Sequence, residues 1–162
     1  SQELKVPVQK IKSLVLGGHG DSMVAMLGHT EVEGKKIDEL VKEGKITKDK
    51  LDEIVDRTKK GGAEIVKYLE KGSAFYAPAA SGIEMAECYL KDLKKQIPCA
   101  AHLDGEYGFK NIYAGVPVVI GANGVEKIIE LELSETEKKD FNHSIQSVKD
   151  LFEAARKIDS SL

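Results

Sequence analysis

The sequence predicts an α+β fold, an antiparallel sheet packed with long helices, on three observations. Strand-like runs come first, helical periods follow and strand-like runs return, without the alternation of strand and helix that builds a parallel sheet. Residues 47–69 and 78–95 carry apolar side chains at helical spacing. From Ile97 onward the period changes, and three apolar runs bounded by Gly and Asp succeed one another.

In chain order, Ile11 to Leu16 is a short apolar run ending at Gly17-Gly18, which suits a buried strand, and a second apolar stretch follows from Met23 to Val32. From Thr47 a long helix is expected, with Leu51, Ile54, Val55, Thr58, Gly62, Ile65, Val66 and Leu69 on its inner face. Thr47 is its N-cap, and Ile46 and Leu51 form a hydrophobic staple. Gly61 and Gly62 each cost about 1 kcal/mol relative to Ala inside a helix. They mark either a helix break or a close crossing against a neighbour. A second helix runs from Pro78 to about Lys95, with Ile83, Ala86, Tyr89, Leu90 and Leu93 inward.

The runs IPCAAHLDG, NIYAGVPVVIG and GVEKIIELEL read as strands, and Asn123-Gly124 between the last two signals a hairpin, since both residues tolerate positive φ. The last helix opens on a capping box in which Ser134 caps and Glu137 reaches back. Its apolar stripe is Phe141, Ile145, Val148, Phe152 and Ala155, opposed by Lys138, Lys139, Asp140, Lys149 and Asp150. No repeat and no linker rich in Pro, Gly or Ser interrupts the 162 residues, so one domain is expected over 1–162.

Composition narrows the function. The formal net charge is −3, with both signs mixed along the chain, so no basic stripe is present to neutralise a nucleic-acid backbone. Cys88 and Cys99 form neither a CxxC pair nor a metal-ligand spacing, and are expected to be buried free thiols, as a reducing cytoplasm allows. No apolar run approaches the roughly 20 residues of a membrane span, and the start SQELKVPVQK lacks the apolar core of a secretory signal. The expectation is a soluble cytoplasmic chain without metal, membrane or nucleic-acid partners.

Gly17-Gly18-His19-Gly20-Asp21-Ser22 is the one place where a titratable side chain sits inside a glycine cluster after an apolar run. Glycines let backbone come close to a ligand, and a histidine held there can take and return a proton near neutral pH. The same residues also suit a turn with a satisfied polar histidine. A phosphate cradle does not fit, because the run lacks GxGxxG spacing and MVAML after it is strand-like. His29, His102 and His143 are scattered singly.

VLGGHGDSMV (Val15 to Val24) resembles the active-site histidine motif of the lactate and malate dehydrogenases. DRTKKGGAEIV, GSAFYAPAAS, AECYLKD, DGEYG, GVPVVIG and GVEKIIEL follow in the order that family shows, over nearly the whole chain. SAFYAPA looks most like the NAD-dependent malate dehydrogenases related to lactate dehydrogenase.

The resemblance implies the C-terminal, substrate-side domain of such an enzyme, with NAD as cofactor, a small 2-hydroxy or 2-keto dicarboxylic acid as substrate, and dimers or tetramers. It implies that His19 is the proton acceptor and donor, and that Ser73 and Ala74 line the pocket behind the reacting carbon, although from the residues alone they are only a loop before a helix. The family's upstream aspartate and arginines have no counterpart here, since the chain's arginines are Arg57 and Arg156, both within expected helices. No Rossmann fingerprint is present, so cofactor-binding residues stay unassigned and the chain alone is expected to be inactive. A lactate dehydrogenase half, or a non-catalytic oligomerisation module of the same fold, are the alternatives.

Overall fold

The computed structural model describes residues 1–161. Its N-terminal part holds five two-residue strands in place of the single buried strand expected over 11–16. β1 (Ile11–Lys12) pairs with β4 (Glu31–Val32), β4 with β5 (Lys35–Lys36), and β2 (Val15–Leu16) with β3 (Val24–Ala25), all antiparallel. The chain passes from one ladder to the other at Ser13–Leu14. Of the run only Leu16 is fully buried, while Lys12, Ser13 and Val15 face solvent. A strand buried on both faces would have taken the Lys12 ammonium out of water, whereas at the surface it stays solvated beside Glu31, 3.8 Å away.

α1 (Ile37–Lys42) buries Ile37 and Leu40 in a small cluster with Val32, Ile46 and Leu51. The expected staple, Ile46 with Leu51, lies in that cluster. Thr47 caps α2 (Lys48–Lys59), its hydroxyl oxygen accepting the Lys50 N–H at 3.2 Å. Of the two readings of Gly61-Gly62 the break holds. Lys60, at φ −91° and ψ 1°, separates α2 from α3 (Gly61–Leu69), and a methyl at either glycine would meet nothing within 4 Å. Arg57 spans the break, donating from Nε and Nη2 to the two carboxylate oxygens of Glu64 at 3.0 and 2.7 Å.

The inner face expected for this helix pair needs correcting. Ile54, Ile65, Val66 and Leu69 are 38–44% exposed, and α3 buries no residue. α4 (Tyr76–Leu90) departs in the same way. It begins before Pro78 and stops short of Lys95, because Lys95 already belongs to the sheet. Cys88 is its buried residue and Met85 packs beside it, whereas Ile83, Tyr89, Leu90 and Leu93 are exposed. Apolar residues lie on more than one side of α4, and the sheet covers the Met85–Cys88 side. Helical period shows that a face is apolar but not what covers it.

β6 (Lys95–Asp104), β7 (Lys110–Gly121) and β8 (Gly124–Ile128) form an antiparallel sheet in the order β6-β7-β8. The cross-strand pairs Ile97–Val118, Ala101–Ala114 and Leu103–Ile112 lie on its buried face, in the main core. The hairpin falls where expected, but its geometry is narrower than the sequence signal. Gly121 pairs with Gly124 and Gly124 sits at φ +83°, while Asn123 is not left-handed. The third run leaves the ladder after Ile128. Tyr107 takes over there, its phenol donating to the Ile129 carbonyl at 2.9 Å and accepting from the Leu131 N–H at 3.0 Å.

α5 (Glu135–Ile158) opens on the expected capping box, with Ser134 Oγ accepting from Glu137 N and Glu137 Oε2 accepting from Ser134 N. Phe141 and Ile145 are buried and Val148 half-buried, and the Phe141 ring lies 5.1 Å from that of Tyr107 and 5.8 Å from that of Phe109. Farther along, Phe152 is exposed, against expectation, because the helix runs on past the sheet that covers its first half. Both cysteines are free, but only Cys88 is buried; Cys99 is half-buried.

Candidate active site

The Gly17–Ser22 run leaves β2 and is gripped from two sides. Gly17, at φ +89°, exchanges backbone hydrogen bonds with Gly115 in the middle of β7, N to O at 2.8 Å and O to N at 2.7 Å. A side chain at Gly115 would place its Cβ 2.8 Å from the Gly17 carbonyl oxygen, so the approach requires glycine there. From the opposite side Ser144 of α5, wholly buried, accepts the Gly18 N–H on its Oγ at 2.8 Å. A Cβ on Gly17 would fall 2.1 Å from that oxygen.

His19 follows with extended backbone, φ −89° and ψ 146°, and precedes a single 3-10 turn, Gly20–Ser22. Its side chain is exposed, and among the described residues its imidazole has no hydrogen-bond partner. The backbone is therefore fixed while the ring is free to meet a ligand. The glycine run leads into the 3-10 turn and then β3, not into an α-helix, so it offers no helix N-terminus for a pyrophosphate.

Beside the turn lies a cleft of about 600 Å³ whose walls include Asp21 and Ser22, Asp52 and Lys59 of α2, and Asp140 and His143 of α5. His19 is not among its lining residues. Ser73 is exposed and Ala74 half-buried, in the loop between α3 and α4 where Gly72 takes φ +95°. No hydrogen bond among the described residues joins that loop to the His19 turn. Arg57 is occupied by Glu64, and the Arg156 guanidinium lies 5.9 Å from the centroid of the Phe152 ring. His29 Nε2 donates to the Glu132 carbonyl oxygen, 2.9 Å away, and His102 meets the edge of Tyr113. Among the described residues no group of three or more His, Cys, Asp or Glu side chains could hold a metal ion, and no helix is long and apolar enough to cross a membrane.

Ser144 and Gly115 were not singled out from the sequence. They lie far from the histidine motif along the chain, one inside a helix pattern and one inside a strand. A serine within the buried stripe of α5 was the one available signal, since a buried hydroxyl needs a partner.

Residues 1–158 match the family described as lactate/malate dehydrogenase, alpha/beta C-terminal domain. The malate dehydrogenase of Pelagibacter ubique is 64% identical over all 162 residues, which cover 51% of that protein, and the malate dehydrogenase of Caulobacter vibrioides is 57% identical over 157 residues, 97% of this chain and 49% of that protein. Among solved structures, a malate dehydrogenase of Cryptosporidium parvum superposes with a TM-score of 0.94 at 41% identity, covering 97% of this chain and 50% of that one. A lactate dehydrogenase of Eimeria maxima, solved with NADH and oxamate, gives 0.93 at 39% identity, covering 98% and 50%. The chain thus spans about half the length of the relatives it matches.

Proposed function

The chain belongs to the lactate/malate dehydrogenase family, as its C-terminal domain, and from that premise we propose that it is the substrate-side half of an NAD-dependent malate dehydrogenase in which His19 accepts and donates the proton. The observation that carries this reading is the His19 turn: an exposed imidazole on backbone gripped by β7 and α5. Such a ring is free to reach a substrate hydroxyl without losing its place, the condition for general acid/base work. Imidazole takes the hydroxyl proton when the 2-hydroxy acid is oxidised, and imidazolium returns it to the keto oxygen in the reverse direction.

NAD supplies the hydride acceptor in this reading, but the residues present do not fit a dinucleotide site, since the glycine run opens no α-helix. Cofactor binding is assigned to the half of the enzyme outside these residues, as are the arginines that grip the substrate carboxylates, because Arg57 is held by Glu64. The 162 residues act as one domain, inactive by themselves. Ser73 and Ala74 are proposed to line the substrate pocket once the enzyme is complete. The exposed apolar side chains of α3 and α4 support association, as a dimer or tetramer, and light scattering that finds only monomers of the full-length protein would refute it. The two free thiols suit a cytoplasmic setting.

Malate is preferred as substrate on the two bacterial relatives named malate dehydrogenase at 64% and 57% identity. Lactate is the second reading, favoured by the lactate dehydrogenase neighbour at TM-score 0.93. Steady-state assay of the full-length protein with oxaloacetate and with pyruvate decides between them. In the same assay His19→Asn, which keeps size but not titration, is expected to lower turnover by about 10²–10⁴-fold while cofactor binding survives. Near-normal turnover of that variant at neutral pH would overturn the role of His19.

A further inference from the structure

We infer that Ser144 is the positioning residue for His19: its buried hydroxyl holds the backbone that leads into the histidine. The inference rests on the reading of His19 given above. Gly18 donates its N–H to Ser144 Oγ at 2.8 Å, one residue before His19, and Ser144 is wholly buried on the third turn of α5. The fit leaves no slack, since even a Cβ on Gly17 would lie 2.1 Å from Ser144 Oγ and 2.8 Å from its Cβ. Gly115 closes the other side through its paired backbone bonds to Gly17. His19 itself has no side-chain anchor within the described residues, so its place is set through these main-chain bonds.

α5 and the residues before it also hold the chain just beyond β3. Gly28 N donates to Glu137 Oε1 at 3.2 Å, and His29 Nε2 meets the Glu132 carbonyl oxygen at 2.9 Å. The hairpin of β2 and β3 that carries His19 is thus tied to α5 before it at Gly18 and after it at Gly28, with Ser144 nearer the histidine. Removing the hydroxyl leaves the half-buried Gly18 N–H without its acceptor, which drives the backbone to move.

The test uses the full-length enzyme and three variants. Ser144→Ala is expected to lower kcat about 10-fold, a displacement smaller than the roughly 1 Å that costs 10²-fold, and to leave the KM for the cofactor unchanged. Hydrogen exchange of the Gly18 amide should speed up in the same variant. Leu40→Ala, which opens a cavity in the separate cluster around α1, should lose stability and keep kcat. Ser144→Cys keeps the volume with a weaker acceptor and should fall between wild type and Ser144→Ala. A kcat within twofold of wild type for Ser144→Ala, beside an inactive His19→Asn, overturns the role of Ser144 and leaves the reading of His19 intact. Full kcat for Ser144→Cys overturns it even where the alanine variant does not fold. Turnover retained by His19→Asn removes both.

Discussion

Gly17 and Gly115 exchange both of their backbone hydrogen bonds, and the pair joins the histidine turn to the central strand of the sheet. The contact is main chain against main chain, so any side chain at Gly115 forces the two segments apart.

Gly115→Ala is therefore expected to destabilise the fold by about 1–3 kcal/mol, the usual range for overpacking a close site. Its Cβ would meet the Gly17 carbonyl oxygen at 2.8 Å, and backbone there has little room to shift. Urea denaturation reads the effect; a midpoint equal to that of the parent would show that the two segments can separate without loss.

Gly62→Ala should act in the opposite direction. Gly62 lies in the first turn of α3 with φ outside the left-handed region, and a methyl there meets nothing within 4 Å. Alanine in a helix is favoured over glycine by about 0.8–1.0 kcal/mol, which corresponds to roughly 2–4 °C in Tm for a chain of this size. A lower Tm for the variant of this 162-residue chain would contradict the open space found at that position.

Glu137 makes the start of α5 sensitive to acid. Burial raises its pKa, but the hydrogen bonds from Ser134 N, Ser134 Oγ and Gly28 N outweigh this, with a further lowering from His29, and hold the carboxyl below its ordinary 4.5. A lowered folded pKa means that the carboxylate stabilises the fold above about pH 4.5 and that this contribution is lost as pH falls through the lower folded value. Glu137→Gln is expected to lose about 1 kcal/mol at pH 7, as for other capping groups. Wild type and variant should converge toward pH 3 in urea midpoints; a constant gap from pH 7 to pH 3 would assign the effect to shape and not to charge.

Much of this was legible in the sequence because it is local. The Ser134 capping box, the Thr47 cap, the three strands after Ile97 and the Asn123-Gly124 turn each depend on residues a few positions apart. What could not be read was which neighbour each face meets. Ile83 and Cys88 both lie on α4 and both are apolar, yet the sheet buries Cys88 and leaves Ile83 in solvent. The partners of the histidine turn, Gly115 and Ser144, come from elements that fold onto it from distant parts of the chain, and no periodicity links them to residue 19. The break at Lys60 was open for a related reason, since glycine spacing alone does not say whether a second backbone comes close.

The joint between α2 and α3 has a final consequence. α3 buries no side chain in this chain, and the forked bond from Arg57 to Glu64 that crosses the joint is exposed. Interactions of that kind fade as ionic strength rises, with a screening length of about 10 Å at 0.1 M salt and about 3 Å at 1 M. Dissolved ions should thereby weaken the forked contact across this joint while leaving the sheet, its packed core and the backbone hydrogen bonds at Lys60 as they are.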